Sequence, residues 1–490
     1  TPMYSDNPYW TVYKNYSDDK RNRFFGNVKL QYNITDDLFV VGNAYGDQYD
    51  FKIRERVAVH SQAQSSYSET NFQNAEYNFE ARLHYNKRFN NFSLNSFAGV
   101  NKRRVTYSEL GGFTSGGLIL PNLYNLANSV NPSQSYNRQS KMTVNSIYGM
   151  VSLGYRDLLF VEGTIRKDYF STVPEAGVYP GVTGSFIFSQ LMTESNWLSF
   201  GKIRASWAQV SNGANPYSLK DYYNIGLPFN GTPTYGLNST SNNPDLKPET
   251  NNTKEIGLEM KFFNNRFGFD VSYYSNLTED LITPLQGTGA TGFSRKYFNA
   301  GELENKGIEA TVFVNPIRTE DFSWEINWNF SKNKNKLLKL NGEAETLTLA
   351  NAPFQVSLVA QVGQPYGQIF GTDYTYDTNG NKLIDDDGLY IPSEIKALGS
   401  IVPDYNMGIR NTFTYKGISL SGLIDIQKGG KYFSTSHMWG MYSGMIEKSA
   451  ANGIRENGIV LQGVNQTTGL PNDINISGYD YGMNHYGNVD

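Results

Sequence analysis

The chain has 490 residues, of which 39% are hydrophobic, and its 42 basic and 46 acidic side chains give a net charge of −4. The hydrophobic content is too high for a disordered chain, and the near balance of charge gives no indication of a nucleic-acid partner. Cysteine is absent, which excludes disulfides and thiol chemistry, and four scattered histidines do not predict a histidine-rich metal site. Tyrosine, phenylalanine and glycine are abundant, a mixture that favours β-strands joined by many turns.

Membrane-spanning helices are not predicted, because no run of about 18 apolar residues occurs. The mean hydropathy of −0.49 is typical of a soluble chain. A transmembrane β-barrel, however, alternates lipid-facing and lumen-facing residues, and averaging hides that pattern. The opening "TPMYSDNPYW" and the loop-like ending "HYGNVD" lead us to expect an interior part of a longer protein.

Strict alternation of apolar and polar residues recurs along the chain, and helical periodicity is almost absent. In one run, polar residues alternate with Phe322, Trp324, Ile326, Trp328 and Phe330. A period of two predicts strands with two different faces. In chain order, the predicted strands are 22–35, 37–58, 77–85, 92–110, 141–157, 158–170, 200–211, 255–262, 266–283, 296–317, 322–331, 403–417 and 418–433.

The connections between these strands are of two kinds. Short turns are predicted near Asp36, Asn90, Asp157, Asn265, Glu320 and Gly417, whereas long polar connections are predicted at 59–74, 111–140, 211–250 and 434–490. Alternation of the two kinds places all short turns at one rim of an antiparallel up-and-down β-barrel, which is the pattern of an outer-membrane protein. Soluble β-sandwich domains stay open as an alternative, although their strands are typically only ~5–6 residues long.

Two short motifs have the spacing of ligand-binding loops. The glycines of "GTGATG" at 287–292 match a dinucleotide-binding pattern, but strand-like sequence follows where a helix is required, which favours a glycine loop. The oxygen-bearing residues of a candidate calcium loop are Asp377, Asn379, Asn381 and Asp385. Lys382 and Gly388 replace the glycine and the bidentate glutamate that such a loop needs, so a polar turn is the alternative interpretation.

Catalytic sets of the Ser/His/Asp or Cys/His type are not recognisable, and we predict that the chain is not an enzyme. Acidic groups at Glu302 with Glu304, and at 385–387, are the remaining candidates for glycosidase carboxylates. Aromatic residues in predicted loops are candidates for substrate contact, or else they join the loops to one another. They are Tyr107, Phe113, Tyr124, Tyr217, Tyr222, Tyr223 and Tyr235.

The segment that begins at Asn243, "NNPDLKPETNNTKEIGLEMKFFNNRFGFDVSYYSNLTEDLI", resembles a segment of TonB-dependent outer-membrane transporters. In that family an N-P-x-L-K-P-E loop leads into a strand with E-x-G-x-E, then a short turn, then a strand that ends T-x-D-L-I. Further stretches resemble the SusC/RagA branch of the family, and the matches span about half of the chain. They are 178–190, 299–312, 362–374 and 398–430.

This resemblance implies a roughly 22-stranded barrel whose lumen is plugged. It implies that the whole chain, 1–490, is part of such a barrel with long extracellular loops. The plug and N-terminal domains are expected upstream, and a few strands are expected on each side of this segment. About 16 strands are counted in the sequence.

The function implied by the resemblance is active import of a large nutrient, a glycan or an oligopeptide, across the outer membrane. The implied partners are a SusD-like surface lipoprotein, TonB with its inner-membrane energising complex, and outer-membrane lipid. No cofactor is implied, apart from the calcium candidate above. A passive porin or adhesin, and a secreted glycan-processing β-protein, remain as alternatives.

Trp324 and Trp328 are expected to face lipid. We therefore predict that aspartate at either position impairs insertion, because a charge near mid-membrane costs roughly 2–4 kcal/mol.

Overall fold

The computed structural model describes residues 6–192, 197–226, 228–341, 344–353 and 355–484. Fourteen long strands form one antiparallel sheet, in which strands that follow one another in this set are neighbours. In chain order they are β1 (Ser17–Asn33), β2 (Leu38–Val57), β3 (Ser66–Phe89), β4 (Phe92–Leu118), β5 (Ser129–Tyr155), β6 (Leu159–Phe170), β7 (Gly177–Phe186), β8 (Leu198–Asn212), β9 (Glu249–Phe262), β10 (Phe267–Glu279), β11 (Glu302–Arg318), β12 (Phe322–Lys339), β13 (Pro403–Tyr415) and β14 (Ile418–Gly429).

Shorter elements lie in the long connections. The α-helices are α1 (Pro8–Lys14), α2 (Thr435–Ser443), α3 (Ile454–Asn457) and α4 (Gly478–Asn484). The short strands are Tyr223–Ile225, Tyr235–Leu237, Thr240–Ser241, Ile282–Gln286, Arg295–Asn299, Thr346–Asn351, Ser357–Gln361, Gln368–Gly371, Leu383–Ile384, Lys396–Ser400, Ile459–Val460, Val464–Asn465 and Asn475–Ile476. No helix in the described ranges combines the length and the apolarity that crossing a bilayer requires.

The predicted short turns are confirmed, since each of the six joins two consecutive strands of the sheet. Several turns reverse the chain through left-handed backbone, which asparagine, aspartate and glycine tolerate best. Positive φ angles occur at Asn90, at 156–157, at 263–265 and at 416–417. The "NNR" turn after β9 therefore has three successive residues, Phe263, Asn264 and Asn265, with φ between 52° and 60°.

Two of the predicted long connections are wrong. Residues 66–74 belong to β3, and residues 111–118 and 129–140 extend β4 and β5, so the actual loops are only 58–65 and 119–128. These extensions are polar on both faces and therefore lack the alternation that marks a strand. Their backbones nevertheless stay in register, for example with Ser68 opposite Phe113.

Other boundaries also differ from the prediction. The strands expected at 266–283 and 296–317 are each interrupted, at Asp280 and at Gly301, both of which have positive φ. The pieces beyond the interruptions, Ile282–Gln286 and Arg295–Asn299, pair with each other as a separate hairpin. β7 was not predicted as a strand, because three glycines and a proline replace the apolar residues of a regular alternation.

The chain divides into two compact units. The first comprises 1–187, 206–252 and 282–299, and the second comprises 188–205, 253–281 and 300–490. In the first unit, Leu246 is fully buried in a small core together with Val173 and Ala214. In the second unit, residues 434–484 were expected to be a polar connection but fold around a core that contains Ile384, Met441, Ile454, Leu461, Ile476 and Tyr481.

One face of the sheet is apolar in both units. In the first unit, Ala81, Val100 and Ile147 are opposite one another on three neighbouring strands, and Val100 and Ile147 are more than half exposed. Aromatic rows border this band on the side of the short turns, where the tilted rings of Phe92 and Tyr155 pack with centroids 4.9 Å apart. The part of β3 that crosses this band, from Phe79 to Phe89, is eleven residues long. This length is close to the ~9–11 residues that a tilted membrane-crossing strand needs.

In the second unit, one face of the sheet carries the predicted tryptophans. Trp328 is opposite Val312 and Ile409, and Trp324 stacks on Phe413 with centroids 5.6 Å apart. In each unit, we call the side of the sheet that carries these residues the apolar face and its opposite side the polar face. Because side chains alternate along a strand and paired residues share a side, the register assigns every strand residue to one face.

Candidate functional site

The polar face of the first unit is a network of paired charges. Arg103 of β4 donates two hydrogen bonds to Glu76 of β3, at 2.7 and 2.9 Å. On β6, Arg166 donates to Asp168 at 2.7 Å and to the hydroxyl of Ser146 at 2.7 Å. These charges satisfy one another within a strand or between neighbouring strands, so these positions are strongly polar but carry paired charge.

In the second unit, one arginine connects three strands on the polar face. Arg204 of β8 donates to both carboxylate oxygens of Asp270, at 2.8 and 2.7 Å, and lies 3.5 Å from Glu255 of β9. Gly257 allows this arrangement, because a Cβ built on it would lie 2.5 Å from the guanidinium carbon of Arg204. The E-x-G-x-E motif at 255–259 therefore combines carboxylates with a space for the arginine between them.

A ladder of amide side chains continues the polar face of the second unit. Asn305 of β11 accepts hydrogen bonds from Asn333 and Asn335 of β12, at 3.0 and 2.8 Å. Tyr274 of β10 donates to Asn333 at 3.2 Å and crosses over Gly307, which is opposite it in the ladder. These amides and hydroxyls are uncharged groups that offer both donors and acceptors to a polar solute.

The motif "NPDLKPE" holds the long connection between β8 and β9 in place. The side chain of Asn243 donates to the carbonyl of Tyr297 at 3.1 Å. The backbone of Lys247 exchanges two hydrogen bonds of 2.8 Å with the side chain of Asn299. Leu246 fills the small core, and Glu249 accepts from the backbone N–H of Ile282 at 2.7 Å. We call this arrangement the clamp, since it fixes both ends of 243–249 against the hairpin 282–299.

Before the clamp in the chain, the same connection forms an exposed hairpin, which we call the aromatic hairpin. Its short strands Tyr223–Ile225 and Tyr235–Leu237 pair in antiparallel fashion. Its tip turns through Asn230 and Gly231, both with positive φ, between Phe229 and Thr232, which form a bridge. Its apolar side chains are largely exposed, at 67% for Tyr223, 80% for Ile225, 74% for Phe229, 67% for Tyr235 and 49% for Leu237.

Of the aromatic residues selected from the sequence, Tyr217, Tyr222, Tyr223 and Tyr235 lie in this exposed connection. The expectation that Tyr107 and Phe113 lie in a loop is wrong, because both belong to β4. The hydroxyl of Tyr107 donates to the buried Glu109 at 3.0 Å. Tyr124 does lie in a loop, where its ring is 4.6 Å from the guanidinium of Arg56, so it joins two segments.

The aromatic hairpin itself was not predicted from the sequence. The "NG" pair at 230–231, which favours a tight hairpin turn, was the signal that could have indicated it.

The calcium candidates form turns that use their own oxygen atoms. Asp377 accepts from the backbone N–H groups of Asn379 and Asn381, each at 2.8 Å, and from the Asn381 amide at 3.0 Å. These hydrogen bonds, from the Asn381 side chain above all, hold the pKa of the Asp377 carboxyl below its ordinary value. Asp385 repeats the pattern with the N–H groups of Asp387 and Leu389. Among described residues, no cluster of three potential metal ligands occurs, and calcium binding stays a prediction.

The acidic groups and the glycine motif selected from the sequence also form contacts within the structure. Glu304 lies 2.6 Å from Lys306 on the same strand, and Glu302 lies 3.5 Å from Lys339. Asp386 accepts hydrogen bonds from Asn465 and Thr467, and so attaches its turn to the strand Val464–Asn465. The "GTGATG" segment is the tip of the hairpin 282–299 and contains one turn of 3₁₀-helix rather than the start of an α-helix.

A cleft of about 570 Å³ lies in the second unit beside α2. Its walls combine apolar side chains, including Val356, Ile369 and Met438, with the polar groups of Asp373 and His437. Asp373 forms an ion pair of 3.0 Å with Lys396. The volume falls within the ~300–1,000 Å³ of typical ligand pockets, although no sequence pattern pointed to it.

Comparison with known proteins gives the same fold. A profile described as "TonB dependent receptor-like, beta-barrel" matches residues 1–452. TonB-dependent receptor P26 of Formosa agariphila is 26% identical over 474 residues, which cover 87% of this chain and 47% of that protein. TonB-dependent receptor SusC of Bacteroides thetaiotaomicron is 25% identical over 324 residues, which cover 58% of this chain and 31% of that protein.

Among solved structures, the RagAB peptide transporter superposes with a TM-score of 0.76 at 18% identity. The match covers 98% of this chain and 55% of that chain. This chain spans about half the length, or less, of the relatives it matches. It belongs to the TonB-dependent receptor-like β-barrel family and lies in the outer membrane, with SusC among its relatives.

Proposed function

We propose that this chain takes part in the TonB-dependent import of a large nutrient, a glycan or an oligopeptide, across the outer membrane. Its family comprises transporters and receptors, and we assign the chain no covalent chemistry. In this proposal, energy comes from TonB and its inner-membrane complex, while the sheet supplies the wall of the passage. The polar face lines that passage, since its paired charges and amides favour hydrated solutes over lipid.

The aromatic hairpin is the observation that carries the proposal. Five of the described apolar side chains stand exposed on a short hairpin, and the clamp fixes the chain segment that follows this hairpin. Exposed apolar groups of this kind mark contact surfaces. Aromatic rings pack against sugar rings and against peptide side chains alike, so the hairpin fits both proposed substrate classes.

A SusD-like surface lipoprotein is the proposed partner of the extracellular loops. The RagAB structures, which share this fold, are of a peptide importer and transporter. We infer by analogy that the aromatic hairpin contacts either the lipoprotein or the substrate that it delivers. Either contact buries the same rings, and both are lost when the rings are removed.

The experiment measures uptake in cells that express the complete gene. Labelled oligosaccharides and labelled oligopeptides are offered separately. The double variant Tyr223→Ala/Tyr235→Ala is compared with Tyr479→Ala, which removes a similarly exposed tyrosine elsewhere. We expect the hairpin variant to lose most uptake of one substrate class at unchanged surface expression, while Tyr479→Ala retains it.

A second arm separates active import from the alternatives. Uptake in cells that lack TonB should fall to background, because active import depends on the energy that TonB supplies. A passive porin needs no energy source and would continue to admit the substrate. Uptake that persists without TonB contradicts active import. Hydrolysis of an offered glycan by the purified protein, abolished by changing a single carboxylate, would instead support a glycan-processing enzyme.

A further inference from the structure

The cleft of about 570 Å³ beside α2 is built by two parts of the second unit. One part is the small antiparallel sheet in which Gln368–Gly371 pairs with Lys396–Ser400. The other is the segment 430–434, which leads into α2. The backbone N–H of Lys431 donates to the carbonyl of Ser400 at 2.8 Å and so joins the two parts. Hydrogen-bonded backbone therefore holds the two sides of the cleft together.

One wall of the cleft is apolar and fixed. Val356, Ile369 and Met438 line it, and each is at most 9% exposed. Ile369 lies opposite Leu358 on one neighbouring strand and Gly399 on the other, which holds its backbone in place. A preformed apolar wall loses little conformational entropy when a ligand binds, so it favours an apolar group. A sugar is a poor match, because these side chains offer its hydroxyl groups no strong hydrogen bond.

The edge of the cleft is cationic. The Lys431 ammonium donates to the carbonyl of Leu398 at 2.6 Å, and this bond holds it beside the apolar wall. An ammonium has three donors, so it can also donate to a ligand. Lys448 is a second lysine of the lining. Among the described residues of the lining, the one carboxylate is Asp373, which is paired with Lys396 at 3.0 Å. The lining is therefore complementary to an anion.

We propose that this cleft binds a carboxylate that is attached to an apolar group. The apolar group packs against the fixed wall, and the carboxylate accepts a charge-assisted hydrogen bond from the Lys431 ammonium. Two sources offer this chemistry, a free aliphatic or aromatic acid and the C-terminal residue of an oligopeptide. For the second source, the inference rests on the proposed function and names oligopeptides as its substrate class. Binding itself requires neither TonB nor transport.

The test titrates purified protein, expressed from the complete gene, with small probes in an isothermal calorimeter. Phenylbutyrate presents an apolar group with a carboxylate, whereas phenylbutanol and phenylbutylammonium present the same group with a neutral and a positive end. N-acetylated dileucine represents a peptide end, and its C-terminal amide removes the charge. Glucuronate supplies a carboxylate on a sugar that lacks an apolar group.

The variants change the charge and the space of the cleft separately. Lys431→Gln removes the charge, and Lys431→Arg keeps it. Thr372→Phe fills part of the cleft without changing its charge, since Thr372 belongs to the lining. Lys332→Gln is the control, because this exposed lysine of β12 lies outside the lining.

We expect the parent protein to bind phenylbutyrate or acetylated dileucine more tightly than the matching alcohol, ammonium or amide. The acid that binds more tightly identifies the source of the ligand. Lys431→Gln should bind that acid about 10- to 100-fold more weakly, the usual effect of losing a hydrogen bond to a charged group. Its affinity for phenylbutanol should stay unchanged, and Lys431→Arg and Lys332→Gln should behave like the parent. Thr372→Phe should weaken binding of acid and alcohol alike.

Equal affinity of the parent protein for the acids and for their uncharged counterparts would overturn the proposal. So would unchanged acid binding by Lys431→Gln, or an equal loss of acid and alcohol binding in that variant, which indicates damaged packing. Tighter binding of glucuronate than of either acid would assign the cleft to sugar acids instead. Because these titrations do not measure uptake, loss of nutrient import in cells while acid binding stays intact would contradict only the proposed function.

Discussion

Glycines on the polar face are positions where a neighbouring side chain needs the space. Gly257 leaves room for Arg204, and Gly307 lies beneath the ring of Tyr274. Neither glycine has a positive φ, so the requirement is for space rather than for backbone freedom. At Gly307 a Cβ would lie 2.4 Å from the Tyr274 hydroxyl and 2.7 Å from the carbonyl oxygen of Lys332. The carbonyl cannot move without disturbing the ladder.

Gly307→Ala should therefore destabilise the protein by about 1–3 kcal/mol, the usual cost of overpacking. The expected readout is a lower temperature for the loss of the compact, heat-modifiable band on gel electrophoresis. Gly163→Ala is the matched control, because a Cβ there would meet nothing within 4 Å. Equal midpoints for the two variants would contradict the steric explanation.

At the scale of single elements, the short turns and the two-faced strands are the features with the clearest physical cause. The turn after β9 holds Phe263, Asn264 and Asn265 in left-handed backbone. The backbone N–H of Asn265 also donates to the hydroxyl of Ser199 at 3.2 Å. A β-branched side chain is least compatible with this conformation, whereas glycine adopts it freely.

Replacing Asn265 by valine should cost about 1–2 kcal/mol, because the left-handed conformation crowds its Cβ against the backbone. Asn265→Gly should be close to neutral. Urea midpoints of the two variants, followed by intrinsic tryptophan fluorescence, measure the difference. A valine variant as stable as the glycine variant would show that the turn relaxes to another conformation.

The free-energy cost of a charged side chain on the apolar face should depend on its depth in the membrane. Ile326 lies midway between Phe322 and Phe330, so Ile326→Arg should cost about 2–4 kcal/mol and reduce the amount of folded protein in the outer membrane. Aspartate at Trp324 or Trp328, nearer to the borders, should cost less. Asn329→Arg is the control, because it places the same charge on the polar face near Asp270 and Glu309. Normal insertion of Ile326→Arg would mean that the faces are inverted.

At the scale of the whole molecule, the second unit contains a folded lobe in addition to its part of the sheet. Residues 372–392 and 435–484 share a core around Ile384, which is fully buried. The short strand Leu383–Ile384 pairs in parallel with Val464–Asn465. Because this core is separate from the sheet, the lobe should be able to unfold locally while the sheet stays intact.

Ile384→Ala should destabilise the lobe by about 2–5 kcal/mol, through lost burial and a new cavity. Limited trypsin digestion should then cut faster at Arg455, while the heat-modifiable band of the sheet is unchanged. Leu470→Ala, which removes a similar side chain that is 64% exposed, is the control. Simultaneous loss of both signals would show that lobe and sheet unfold together.

Much of the fold was predictable because alternation and turn chemistry are local properties. The strands with an apolar face, such as β12, and all six short turns were found in this way. The outer parts of β3, β4 and β5 were missed because both of their faces are polar, and only cross-strand hydrogen bonds reveal them. β7 was missed because its glycines dilute the pattern.

The candidate site was less predictable, because its residues meet through register rather than through sequence spacing. Arg204 and Asp270 are 66 residues apart, and nothing local indicates their pairing. The motif at 243–249 was found only by resemblance, and its role as a clamp required the positions of Asn299 and Ile282. Phe113 was selected as a loop aromatic because the extent of β4 was underestimated, whereas Tyr107 already lay within the predicted strand 92–110.

The "KNKNK" stretch of β12 places lysines on one face and amides on the other, each tied to a different environment. Inserting a single residue before it would exchange the two environments for every position that follows, because side chains alternate strictly. Inserting two residues would move the pattern along the strand but keep each side chain on its own face. Length changes within these strands should therefore be tolerated in even steps, whereas the extracellular loops can change by any number of residues.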